Sequence, residues 1–109
     1  MKISVRDAGK TKIVDVEGDV DLGTSPDLRR TLFAALLEAP KLALNLAAIR
    51  YIDSSGIATL LEVLKHSQSR NKEFVLFGLS PAVEHVFHLT HVIRIFQVFR
   101  TEEEALGSA

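Results

Sequence analysis

The stretch Tyr51-Ile52-Asp53-Ser54-Ser55-Gly56-Ile57 sets a carboxylate, two hydroxyls and a glycine between two apolar runs. As structure, Ser54 or Ser55 is a helix N-cap and Gly56 lets the backbone turn tightly. As chemistry, a serine at a helix N-terminus is suited to carry a phosphoryl group. The unpaired N–H groups of the first turn and the positive end of the helix dipole both favour an added anion. The two readings are compatible. A second acidic stretch, Asp19-Val20-Asp21-Leu22-Gly23-Thr24, follows a strand-like segment ending at Gly18. It is expected to be a loop lying beside Asp53 at the carboxyl edge of a parallel sheet, where α/β proteins place their sites.

Other chemistry finds less support. His85, His88 and His91 stand three apart, which on a helix sweeps them away from any single face, whereas a first-row metal needs three or four converging ligands. They are read as surface or half-buried histidines. Cysteine is absent, which removes a disulfide scaffold, a thiolate nucleophile and every Cys-containing zinc site. There is no His-Glu-x-x-His, no Gly-x-x-x-x-Gly-Lys and no Gly-x-Ser-x-Gly. A hydrolase using Ser54 with His66 or His85 therefore lacks its nucleophile–base motif. Neither a catalytic residue, a metal nor a cofactor is expected. Phe74, Phe77, Phe87 and Phe96 are read as core.

The elements that must position Ser54 follow from periodicity. Ile3 and Val5, then Val14 and Val16, alternate on either side of the turn-like Asp7-Ala8-Gly9-Lys10, giving a hairpin. Ser25-Pro26 pairs an N-cap with proline and opens a helix whose stripe is Leu28, Leu32, Phe33, Leu36 and Leu37, ending before Pro40. Leu42, Leu44 and Leu46 alternate with Lys41, Ala43 and Asn45, mostly apolar on both faces, as in the middle strand of a helix-covered sheet. Ile57, Leu60, Leu61 and Leu64 mark a second helix that fades near Asn71. Phe74 to Phe77 is a short strand. Ser80-Pro81 opens a third helix with Val83, Val86 and Phe87 inward, a last strand falls within Ile93 to Phe99, and Thr101-Glu102-Glu103-Glu104 is a capping box for a short final helix. The order β-β-α-β-α-β-α-β-α predicts one α/β domain over residues 1–109. It should hold a mixed sheet of four or five strands and about four helices, mostly on one face.

Thirteen Lys and Arg against fourteen Asp and Glu leave a formal charge of −1, with no basic patch for a nucleic acid. The longer uncharged runs, such as Leu42 to Ile49 and His85 to Ile93, fall short of the roughly 18 residues of a membrane span. Charges at Lys2, Arg6 and Asp7 occupy the place of a signal peptide's apolar stretch, so a cytoplasmic protein is expected.

With these elements in place, nearly the whole chain resembles the STAS domain family, and within it the stand-alone anti-sigma factor antagonists of bacteria. The likeness rests on Gly18-Asp19-Val20-Asp21, Leu44-Asn45-Leu46, Tyr51-Ile52-Asp53-Ser54-Ser55-Gly56 with Ile57, and Gly78-Leu79-Ser80-Pro81-Ala82-Val83. It implies that Ser54 is phosphorylated by an ATP-dependent anti-sigma factor serine kinase, and that Asp21, Asp53 and Ser55, beside Ser54 and Gly56, line the surface this kinase grips. By the same resemblance the unphosphorylated protein binds the anti-sigma factor and frees a sigma factor, and a PP2C-type phosphatase restores it after phosphorylation. The alternative within the family is a docking subunit of a stress-sensing complex or of a lipid or anion transport machine. His91 stands where the family pattern calls for glycine, which bears on the turn before the last strand.

Overall fold

The computed structural model describes residues 1–107. Strand β1 (Lys2–Ala8) and strand β2 (Thr11–Val20) form an antiparallel hairpin in which Ala8 pairs with Thr11, so the connection is Gly9-Lys10 alone. Two-residue hairpin turns need positive φ, and Gly9 supplies it at +63°. Asp7 and Ala8, expected in the turn, are therefore strand residues. Strands β3 (Lys41–Ile52), β4 (Glu73–Phe77) and β5 (Gln97–Phe99) continue the sheet in parallel to β2, in the order β1-β2-β3-β4-β5. The Leu42-Ala43-Leu44 run is thus the middle strand, as its two-faced apolar pattern predicts.

Helices α1 (Ser25–Glu38), α2 (Ser54–Ser69), α3 (Pro81–Leu89) and α4 (Glu102–Gly107) complete the predicted order, with a short 3-10 turn at Val92–Arg94. The register row Val14, Leu44, Leu76 faces α1, α2 and α3, and packs with Leu28, Leu32, Leu60, Val63 and Phe87. One residue earlier, the row Ile13, Ala43, Val75 faces the opposite way and packs against Ala105 of α4. Each fully buried leucine contributes about 1.5–3 kcal/mol relative to exposure, so the larger layer dominates stability. Phe74, Phe77, Phe87 and Phe96 are all buried; Phe87 and Phe96 lie stacked with centroids 5.7 Å apart, and Phe74 meets Phe96 edge-on at 6.4 Å.

Arg6 of β1 fastens α4 to the hairpin. Its guanidinium reaches Asp15 at 2.6 and 2.9 Å and Glu102 at 2.7 and 3.3 Å, while the Asn45 amide donates to Asp15 at 2.8 Å. These contacts hold Asp15, through Arg6 first, below the usual carboxylate range. The cap of α4 is a shifted capping box. Glu104 N–H donates to Thr101 Oγ1 at 3.1 Å as expected, but the Glu104 carboxylate accepts from the N–H of Arg100.

Two details of α1 differ from expectation. Its N-cap is Thr24, not Ser25, which is buried in the first turn. The Thr24 hydroxyl is engaged by the preceding loop and makes no cap bond. Leu37 is 66% exposed and Ala35 takes the inward place, because the i, i+4, i+7, i+8 row through Leu28, Leu32, Ala35 and Leu36 leaves Leu37 about 100° off the stripe. By contrast Ser80 caps α3 as predicted, accepting from Val83 N–H at 3.3 Å ahead of Pro81.

His91, just after α3, adopts φ +64°. This left-handed conformation is what the family's glycine would take without strain, and a side chain there is unfavourable. His91→Gly is expected to stabilise the protein by about 1 kcal/mol, read as a thermal midpoint roughly 4 °C higher. An unchanged or lower midpoint would show that the imidazole offsets the backbone strain.

Candidate functional site

Strands β2 and β3 end side by side. Val20 pairs with Ile52, and Asp53 N–H donates to Val20 O at 3.2 Å. The next residues, Asp21 and Asp53, therefore leave the sheet together at its carboxyl edge, as the sequence predicts. The route there was not predicted. Pairing runs on past Gly18, which takes φ +106°, so Asp19 and Val20 are strand rather than loop. The pairing of Asp15 with Asn45 and Glu17 with Ala48, then Gly18 with Ile49 and Asp19 with Tyr51, puts an extra residue into β3 twice. These two bulges bend β3 locally and increase its twist on the approach to the site.

The cap of α2 is Asp53, not Ser54 or Ser55. Its Oδ1 accepts from Ser55 N–H at 3.0 Å, Gly56 N–H at 3.4 Å and the Ser55 hydroxyl at 2.5 Å. Adjacent serines thus receive opposite environments. Ser55 is half-buried with its hydroxyl donated to Asp53. Ser54 is the first helical residue, exposed, and its hydroxyl makes no hydrogen bond among the described residues.

The Ser55 hydroxyl, and secondarily the N–H groups of Gly56 and Ser55, hold Asp53 below the usual carboxylate range against a smaller opposing effect of desolvation. A carboxyl lowered on folding contributes stability above its unfolded pKa of about 3.9 and loses it as pH falls through the folded value. Asn caps a helix as well as Asp does. Asp53→Asn should therefore match wild type at pH 7 and lose less stability between about pH 5 and 2, read from urea midpoints. Equal acid sensitivity of the two proteins would assign that sensitivity to other carboxyls, Asp15 foremost.

Asp21 organises the neighbouring loop. Its Oδ1 accepts from Gly23 N–H at 2.9 Å and Thr24 N–H at 3.1 Å, an Asx turn, and its carbonyl accepts from Ser25 N–H at 2.8 Å. The Thr24 hydroxyl donates to Asp19 O and accepts from Asp21 N–H, both at 2.9 Å. At the tip of this cross-braced turn stands Leu22, 78% exposed. Leu22 and Thr24 carry no pattern that marks them in sequence, since their roles arise only from the turn.

Gly56 differs in reason from expectation. Its φ is not in the left-handed region; it is buried in the first turn of α2, where a Cβ would stand 2.8 Å from both Ile52 Cγ1 and Val20 Cγ1. The glycine lets the helix approach the ends of β2 and β3. The site therefore consists of Asp21, Asp53, Ser54, Ser55 and Gly56 gathered at one sheet edge. The histidines lie elsewhere: His66 packs edge-on against Phe33 at 4.8 Å, and His88 stands 3.9 Å from Glu84 on α3. Among the described residues no helix is long and apolar enough to cross a membrane.

Fold and site together define a small mixed-sheet domain that presents a free serine at the start of its second helix. The STAS domain family model matches residues 2–105, and the chain belongs to that family. An anti-sigma-B factor antagonist from Listeria monocytogenes is 29% identical over 109 residues, covering 99% of this chain and 95% of the relative. The crystal structure of an anti-sigma factor antagonist from Mycobacterium paratuberculosis superposes with TM-score 0.82 at 25% identity, covering 98% of this chain and 92% of that one. The Bacillus cell fate determinant SpoIIAA in its phosphorylated form shares the fold, with TM-score 0.73 at 19% identity over 97% of both chains. The named antagonists are regulatory proteins rather than enzymes.

Proposed function

We propose that the protein is an anti-sigma factor antagonist of the cytoplasm. Unphosphorylated, it binds an anti-sigma factor serine kinase and releases a sigma factor; phosphorylation of Ser54 ends the binding and a PP2C-type phosphatase restores it. The observation that carries this reading is the asymmetry between the two serines: Ser54 offers a free hydroxyl to solvent, while Ser55 gives its own to Asp53. A phosphoryl group on Ser54 would add about −1.5 to −2 charges beside Asp53 and close to Asp21, which inside a desolvated interface repels without any refolding. The protein is then a substrate and partner rather than a catalyst, without direct contact to nucleic acid.

Phosphopeptide mapping after incubation with the cognate kinase and ATP tests this. Label is expected on Ser54 and absent from Ser54→Ala, with Ser55 unlabelled. Full labelling of Ser54→Ala would move the acceptor elsewhere, and no labelling of wild type would sink the reading.

A further inference from the structure

We propose that Leu22 is the apolar anchor of the partner-binding surface and enters a socket on the anti-sigma factor that is apolar inside and rimmed by lysine or arginine. This rests on the antagonist reading above. A single exposed leucine is ordinary on a protein surface. Leu22 differs in how it is held. It is the most exposed large apolar residue among those described, at 78%, yet the turn that presents it is braced at both ends by the Asp21 carboxylate and the Thr24 hydroxyl. A residue carried on a backbone already held in place gives up less freedom on binding, which is a condition under which one apolar residue contributes strongly to affinity.

Charge identifies the occupant. Asp19, Asp21 and Asp53 all lie at this sheet edge, and Arg50, 3.7 Å from Asp19, offsets only part of their charge. A partner that covers Leu22 must face these carboxylates, so its rim is cationic. The surface also adjoins Ser54, which starts α2 two residues beyond Ile52, the partner of Val20. Phosphorylation would then add a dianion beside the same aspartates, more negative charge than a rim matched to those aspartates neutralises, which makes the leucine the affinity element and the serine the switch.

Titration calorimetry against the cognate anti-sigma factor tests this with wild type, Leu22→Ser and Leu37→Ser, the last an exposed leucine at the far end of α1. Thermal melts should show all three folded. Leu22→Ser is expected to weaken binding at least roughly tenfold and Leu37→Ser by less than about twofold. Raising NaCl from about 50 to about 300 mM should weaken wild-type binding. Leu22→Ser binding as tightly as wild type overturns this inference alone, and failure of wild type to bind overturns the antagonist reading with it. Light scattering covers the other occupant: a wild-type dimer that Leu22→Ser dissociates would assign the leucine to a second copy and overturn the proposal.

Discussion

Ser54→Asp is expected to stay folded and to bind the anti-sigma factor roughly a hundredfold more weakly, whereas Ser54→Ala should bind like wild type and never be switched off. Ser54 is the first residue of α2, where a carboxylate is favoured by the helix dipole but repelled by Asp53 at the cap. These effects oppose each other, and the change in stability should stay under about 1 kcal/mol. In the complex they do not cancel. Water leaves the interface, the partner's cations are already matched to the aspartates and leave the new charge unneutralised, and the loss of a few kcal/mol converts to about tenfold per 1.4 kcal/mol. Aspartate carries only about half the charge of a phosphate, so phosphorylated protein should bind more weakly still. Calorimetric titration with parallel thermal melts separates folding from binding. A folded Ser54→Asp protein with wild-type affinity would show that charge at this position is not the switch.

Gly56→Val is expected to cost more than about 3 kcal/mol, a large share of the 5–15 kcal/mol that holds a domain of this kind together. The Cβ alone would sit 2.8 Å from carbons of both Val20 and Ile52, and valine adds two methyl groups to a place with no room for one. Gly56→Ala sharpens the test, because alanine gains about 1 kcal/mol of helix propensity while the contact costs about 1–3 kcal/mol. A net loss in Gly56→Ala, measured by urea midpoint, isolates the steric contribution. If Gly56→Ala is as stable as wild type, Val20 and Ile52 have space to move and close approach is not what the glycine provides. Because the same two residues end the strands that place Asp21 and Asp53, Gly56→Val should also displace Ser54 and lower partner affinity.

Much of this arrangement was legible in the residues. Periodicity located α1, α2 and α3 and a capping box located α4, the two-faced apolar run at Leu42-Ala43-Leu44 fixed the middle strand, and two acidic segments after strand-like stretches placed Asp21 beside Asp53. What escaped depends on geometry that a local pattern does not encode. Asp, Ser and Ser can each cap a helix, and choosing among them requires knowing that Ile52 is still paired with Val20, so that the chain enters α2 at Asp53. The first bulge in β3 lies in a run of small and apolar residues, Leu46-Ala47-Ala48, and the second falls at Arg50 between Ile49 and Tyr51; neither stretch has an alternation that signals an inserted residue. Gly56 was marked by its type, yet its reason lies in two side chains brought near only by tertiary packing.

The rear of the sheet has a consequence for how the protein is made. Ile13, Ala43 and Val75 are covered there by α4, whose Glu102 joins Arg6 across 96 residues of sequence. A chain emerging from the ribosome completes its front layer once Val92, Phe96 and β5 are out, but this rear strip stays wet until α4 follows. Every nascent molecule therefore passes through a stage with an uncovered apolar strip open to chaperones and to other unfinished chains. An interruption of synthesis before Glu102 would yield a protein with its serine switch intact and that strip exposed, a species marked for aggregation or degradation by the surface it cannot close.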